Sequence, residues 1–158
     1  MSLKAMGSFE ILDHTADVGI RAQGASLEEL FEQASRGLAE IIGIWHPASP
    51  PERESRGHEK QIEIDLEARD LGGLLVDWLG EIVYLADVKE RSLTRVQAEA
   101  VSEPGEAEAG GCTAAGRFWL EPRAGEQPEG TAVKAITYHR LKVAPTPNGW
   151  VAEVYIDV

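Results

Sequence analysis

Asp13-His14-Thr15-Ala16-Asp17-Val18-Gly19-Ile20 concentrates two carboxylates, an imidazole and a hydroxyl, then passes directly into alternating apolar positions at Val18, Ile20 and Ala22. Alternation with a period of two is the mark of a half-buried strand. The polar residues are therefore expected at a strand's entrance, exposed yet held by ordered backbone, where chemistry is better positioned than on a loose loop.

On the N-terminal side, Phe9 to Leu12 is expected to form a short strand, and residues 1–8 a flexible leader ahead of a single domain over 9–158. Beyond the second strand, Ser26-Leu27-Glu28-Glu29 is a capping-box sequence, so a helix should start there. Leu27, Leu30, Phe31, Ala34, Leu38, Ile41 and Ile42 recur every three or four residues, giving one apolar stripe that needs a sheet to cover it. This helix should stop near Gly43. Trp45 to Glu59, with Pro47, Pro50 and Pro51, is read as a loop.

Ile62, Ile64, Leu66 and Ala68 alternate with Glu63, Asp65, Glu67 and Arg69, which predicts a strand with one wet face. Asp70 is placed to cap a second helix over about 71–87. Its apolar positions Leu74, Leu75, Trp78, Leu79, Ile82, Val83 and Leu85 form too broad a surface for a single contact, so it should be covered on more than one side. Strands are expected over 93–101, 116–121, 133–143 and 150–158, with a mobile Gly, Glu and Ala-rich loop around 103–111. Asn148-Gly149 signals a hairpin, its loop lengthened beyond two residues by the neighbouring prolines.

The chain holds 158 residues, enough for one domain with its own core and too few for two ordinary ones. It contains no apolar run of about 18 residues and no basic region followed by an apolar segment at the N-terminus, so neither a membrane span nor a secretory signal is expected, and a cytoplasmic location is. Cys112 is the sole cysteine, which excludes an internal disulfide. With 15 basic against 27 acidic residues, the net charge is −12. Phosphate backbones are bound chiefly through lysine and arginine, so direct nucleic-acid binding is disfavoured, and a basic protein or a bound cation suits the surface better.

Strand parity narrows the candidate sites. Asp17 falls on the polar face with Gly19 and Arg21; on the last strand Glu153, Tyr155 and Asp157 oppose Trp150, Ala152, Val154 and Ile156. Were the two strands antiparallel neighbours, Asp17, Asp157 and the terminal carboxylate of Val158 would converge. Three anions so close repel unless a cation lies between them, and oxygen donors suit Ca²⁺ or Mg²⁺. The plainer alternative is two solvated strand ends. In extended chain Asp13 lies roughly 13 Å from Asp17, too far to share an ion unless a turn intervenes. His14 is read as a base or a donor within the turn, and Thr15 as a turn hydrogen-bonder. His139 shares parity with Val133, Ala135, Leu141 and Val143, which predicts a partly buried, satisfied histidine. Lys134 points the other way, as a surface charge or a cation near the carboxylates. Asp77 and Glu81, four apart on the second helix, form a wet face or an acid-base pair. No nucleophile elbow, P-loop, zinc-protease helix or paired C-x-x-C is present.

Taken together, Asp13–Ile20, Ser26–Glu32, Leu74–Leu79, Val133-Lys-Ala-Ile-Thr-Tyr-His139 and Trp150…Tyr155-Ile-Asp-Val158 closely resemble the archease family, in order and over Phe9 to Val158. The resemblance implies an α+β fold, a single domain in which two amphipathic helices pack against mainly antiparallel sheets. It also implies a non-enzymatic accessory protein of the RtcB-type tRNA-splicing RNA ligase, promoting guanylylation and multiple turnover of that enzyme. The family's metal site corresponds to Asp17, Asp157 and Val158, with Asp13, His14, Thr15, Lys134 and His139 as possible supporting residues. The expected cofactor is a divalent cation, Ca²⁺ first, with Mg²⁺ or Mn²⁺ as alternatives. The expected partner is the ligase, with neither nucleic acid nor membrane bound directly. Competing readings are a metal-dependent phosphoester hydrolase with His14 as base and a general chaperone-like binding module.

Overall fold

The computed structural model describes residues 7–13, 17–47, 60–103, 111–123, 128 and 130–158. Among these residues seven strands and two helices follow in the order β1 (Ser8–Asp13), β2 (Asp17–Gly24), α1 (Leu27–Ile42), β3 (Lys60–Ala68), α2 (Leu71–Asp87), β4 (Arg91–Ser102), β5 (Cys112–Pro122), β6 (Ala135–Thr146) and β7 (Gly149–Asp157). All strand pairings are antiparallel. They build a four-stranded sheet ordered β1-β2-β7-β6 and a three-stranded sheet ordered β3-β5-β4. The result is the α+β fold that the sequence pattern and the resemblance imply.

Both helices lie between the sheets. α1 packs on β1, β2 and β7 of the larger sheet and on β4 of the smaller, while α2 packs on β6 of the larger and on β3, β4 and β5 of the smaller. This accounts for the breadth of apolar surface on α2, where Leu74, Leu75, Trp78, Leu79 and Ile82 are all fully buried. At about 1.5–3 kcal/mol for each such side chain removed from water, the two-sided contact is the main reason the layers hold together. Trp78 sits at the centre, edge-on to Phe31 of α1 (5.7 Å between ring centres) and to Phe118 of β5 (5.2 Å). Its indole Nε1–H donates to Ser35 Oγ at 2.7 Å, and that hydroxyl donates in turn to the Phe31 carbonyl at 2.7 Å. The one polar atom of the central ring is thereby satisfied without water.

The helix ends follow their sequence signals. Ser26 Oγ accepts from Glu29 N–H, and Glu29 Oε1 reaches back to Ala25 N–H, one residue ahead of the usual capping-box donor. Asp70 caps α2 by accepting from Gly73 N–H at 2.7 Å. α1 closes at Gly43, whose φ of 87° glycine adopts without a Cβ penalty. α2 has no basic residue in its last turn, and Arg123 supplies the missing cation by donating to the Ala86 carbonyl at 2.7 Å.

β4 is an edge strand, and its free edge is covered from two directions. Trp45 forms a parallel bridge with Leu93, and α1 extends Glu28 and Glu32 to accept Val101 N–H and Ala98 N–H, each at 2.9 Å. Unpaired edge donors invite other strands, and these carboxylates remove two of them. Burial raises the Glu32 pKa, only partly offset by the Ala98 hydrogen bond.

The β6–β7 turn differs from expectation. Thr146 pairs with Gly149 and Pro145 with Trp150, so Pro147-Asn148 is a two-residue turn and Pro145 lies within the strand. β6 is an edge strand, which is where a residue lacking an N–H is tolerated. Gly149, at φ 149°, closes the turn where a Cβ would meet the Gly24 carbonyl oxygen.

Two predictions follow from the core and the covered edge. Ser35→Ala strands the Trp78 N–H and should lower stability by about 1–3 kcal/mol, against about 3–5 kcal/mol for Trp78→Ala, both read by urea unfolding. Because the folded state raises the Glu32 pKa, ionising this carboxyl costs stability as pH climbs through its folded value. Glu32→Gln should therefore be more stable than the parent at neutral pH, an advantage that fades below the ordinary carboxyl value of 4.5. Glu32→Ala, which loses the acceptor, should be less stable than Glu32→Gln throughout.

Candidate functional site at the ends of β2 and β7

β2 and β7 pair antiparallel with Asp17 directly opposite Asp157, Gly19 opposite Tyr155 and Arg21 opposite Glu153. The alternate positions Ile20, Ala22, Ala152, Val154 and Ile156 are buried against the helices, which leaves the first three pairs on the outer face. Gly19 is small because a Cβ there would come within 2.8 Å of the Tyr155 ring. Arg21 donates to Glu10 at 2.9 Å and to Glu153 at 3.2 Å, and the Glu153 contact foremost raises its pKa.

That bracketing bears on the row beyond Gly19 and Tyr155. The arginine closest along β2 is already shared between two glutamates, so it does not neutralise Asp17 and Asp157. Directly opposed residues of an antiparallel pair have Cβ atoms about 4.5–5.5 Å apart, and among the described residues neither aspartate side chain has a hydrogen-bond or ion-pair partner. Asp157 is exposed and Asp17 half-buried. Val158, half-buried against the core, follows at once and brings the last residue of the sequence to the same corner.

The supporting candidates separate. β1 and β2 form an antiparallel hairpin with Asp13 opposite Val18, so a turn does intervene and the roughly 13 Å extended spacing does not apply. Asp13 nevertheless occupies the pairing row of Val18 and Ile156, not that of Asp17 and Asp157. His14 and Thr15 lie outside the described residues, as do 104–110 of the expected mobile loop. Lys134 is exposed, and its backbone N–H donates to the Asp157 carbonyl at 2.8 Å, fixing the end of β7.

His139 corrects the parity reading. Between Thr137, opposite Tyr155, and Lys142, opposite Glu153, β6 carries a bulge in which residues 138–141 face Val154 alone. Alternation fails across such an insertion. His139 is exposed, its backbone N–H bonded to Thr137 Oγ1 at 3.3 Å, beside Arg140 at φ 57° and Tyr138 with 64% of its surface open. Ala135 is likewise exposed, opposite Asp157. Burial raises the Cys112 thiol pKa, with the charges of Glu103 and Asp70 adding to it, in keeping with an inert cysteine.

The donor set at this corner is oxygen only. Among the described residues no three His, Cys, Asp or Glu side chains converge as a metal site. Carboxylates suit hard cations such as Ca²⁺, Mg²⁺ and Mn²⁺, and not the nitrogen and sulfur preferences of zinc or copper. No helix among the described residues is long and apolar enough to cross a membrane.

The architecture defines a class: α+β proteins with two helices enclosed by two antiparallel sheets and an acidic corner where the second and last strands meet. The chain belongs to the archease family, since residues 9–158 match the Archease protein family (MTH1598/TM1083). Protein archease of Methanosarcina mazei is 33% identical over 151 residues, covering 95% of each chain. Protein archease of Saccharolobus islandicus is 36% identical over 154 residues, covering 97% of this chain and all of that one. The solution structure of Methanobacterium thermoautotrophicum protein 1598 superposes with a TM-score of 0.65 at 26% identity, covering 95% of this chain and 98% of the other. A crystal structure from Thermotoga maritima, described as an archease and possible chaperone, shares the fold with a TM-score of 0.55 at 23% identity, covering 94% and 96%.

Two facing carboxylates without an ion-pair partner among the described residues make a specific prediction. In chelator, Asp17→Asn should melt at or above the temperature of the parent protein, because it removes a like-charge opposition worth about 0.2–1 kcal/mol. With millimolar Ca²⁺ the order should reverse, the parent gaining stability that the variant does not. A calorimetric scan in each condition checks both halves.

Proposed function

We propose that this protein is a non-enzymatic activator of an RtcB-type RNA ligase in tRNA splicing, promoting guanylylation and repeated turnover of that enzyme. The observation that carries the reading is the pairing of Asp17 with Asp157 beside Val158, two carboxylates without an ion-pair partner among the described residues. Family membership supports it by placing the chain among archeases.

In this reading Asp17, Asp157 and the Val158 carboxylate hold a divalent cation, Ca²⁺ before Mg²⁺ or Mn²⁺. When bound, such a cation supplies positive charge and open coordination positions to an anionic group of the partner's site. The chain's own contribution is placement. β2 and β7 fix the two aspartates, the Lys134 N–H holds the end of β7, and Arg21, spent on Glu10 and Glu153, leaves the corner negative. With a net charge of −12 the remaining surface favours a basic protein over nucleic acid. The wording "possible chaperone" attached to the Thermotoga relative favours a second reading, a binding module with several clients.

Ligase guanylylation and turnover at limiting enzyme, with and without this protein, distinguish the two. The activator reading expects stimulation that falls to the level of ligase alone with Asp17→Ala or Asp157→Ala, while the circular dichroism of both variants stays that of the parent. Full stimulation by either variant would refute it. A client-binding module would instead retain several weak partners after either substitution.

A further inference from the structure

A cleft of about 470 Å³ opens where the two sheets part over α2, beside the acidic corner. Its floor is apolar, made by Leu66 of β3, Val76 and Val83 of α2, and Ile136 of β6. Asp77 and Glu81 form the α2 rim, and Lys134 closes the β6 end. Ala135 also lines it, and Ala135 pairs with Asp157, so cleft and acidic corner are continuous across a single strand pair.

Gly80 points to what the cleft is for. It lies in the interior of α2 and lines the cleft, and a Cβ built on it would meet nothing within 4 Å. Other glycines of this chain make room for a neighbour, as Gly19 does for Tyr155 and Gly72 for Leu141. At Gly80 no described residue demands such room, yet glycine weakens a helix interior relative to alanine. The missing side chain leaves the cleft open between Asp77 and Glu81.

We propose that this cleft is the docking groove for a segment of the protein partner that carries an apolar side chain flanked by lysine or arginine. The apolar anchor fills the depth at Gly80, and its basic neighbours meet Asp77 and Glu81. Charge complementarity selects that occupant, because two carboxylates against the single Lys134 leave the described lining net negative and repel an acidic segment. Docking here sets the acidic corner against whatever part of the partner lies one strand away. This rests on the reading that the partner is the ligase.

Gly80→Leu fills the groove, Glu81→Lys reverses its rim, and Gly80→Ala tests the helix alone. Gly80→Ala should raise the melting temperature by about 2–4 °C, and Gly80→Leu should melt no lower than the parent protein. Titration calorimetry against the ligase in chelator, where the cation cannot contribute, should show Gly80→Leu and Glu81→Lys weakened by at least about tenfold, whereas Asp17→Ala binds like the parent under that condition and, with the cation restored, fails to stimulate guanylylation. Parent-like affinity of both cleft variants, with the parent still stimulating, overturns the groove and leaves the activator reading standing. A parent protein that neither binds nor stimulates overturns both. Concentration-dependent dimerisation abolished by Gly80→Leu identifies a second copy as the occupant and also overturns the proposal.

Discussion

The antiparallel pairing of β2 with β7 is the constraint on which the rest of the molecule depends. It ties the first part of the chain to its last strand, and its register cannot slip. A shift by one residue would turn Ile20, Ala22, Val154 and Ile156 out of the core and bring Asp17, Arg21 and Glu153 into it. The apolar row therefore holds the polar row in place. Asp17 faces Asp157 because the side chains beneath them must be buried, and the modest repulsion on the outer face is small beside several buried aliphatic groups at about 1.5–3 kcal/mol each. The acidic corner needs no local stabilisation to exist.

Enclosing the helices has consequences for both sheets. α1 meets the larger sheet with its apolar stripe and the smaller one partly through Glu28 and Glu32, whose carboxylates finish the free edge of β4. Trp78 fastens α2 to α1 and to β5 at one point, with its polar atom satisfied by Ser35. α2 spans the seam between β6 and β3 and buries most of its circumference, so the portion left outside, around Asp77, Gly80 and Glu81, becomes one wall of a cleft. Core geometry thus sets both surface features, the corner and the cleft, and makes them neighbours.

Much of this was legible from local pattern. Alternation located β2, β3 and β7, the Ser26 and Asp70 caps located both helix starts, and parity alone put Asp17 and Asp157 on polar faces that could meet. Their actual facing required the pairing partner of each strand, which sequence spacing does not specify. The failures share a cause. The bulge that exposes His139 and the tight Pro147-Asn148 turn each break a period that a linear reading extends through them. The acceptor roles of Glu28 and Glu32 depend on β4, far along the chain, and no local pattern announces them. The cleft was invisible for the same reason, since its floor draws on three separate elements.

The half-open position of the acidic corner bears on what it can do under the proposed reading. Ca²⁺ takes six to eight oxygen ligands and Mg²⁺ six, whereas two aspartates and one terminal carboxylate leave part of either shell to water or to another molecule. A site meant to brace the fold would be closed and deep, but here Asp157 is exposed and the strands are already held by the core beneath. Removing a cation would therefore leave the fold in place, unlike a structural metal, whose loss unfolds its domain. An incomplete shell at a strand end, on a protein whose remaining charge attracts basic surfaces, is suited to completing a coordination sphere jointly with a partner. On that reading the same openness would weaken binding by the isolated protein, and occupancy would rise when a partner contributes the missing oxygens, coupling cation binding to docking.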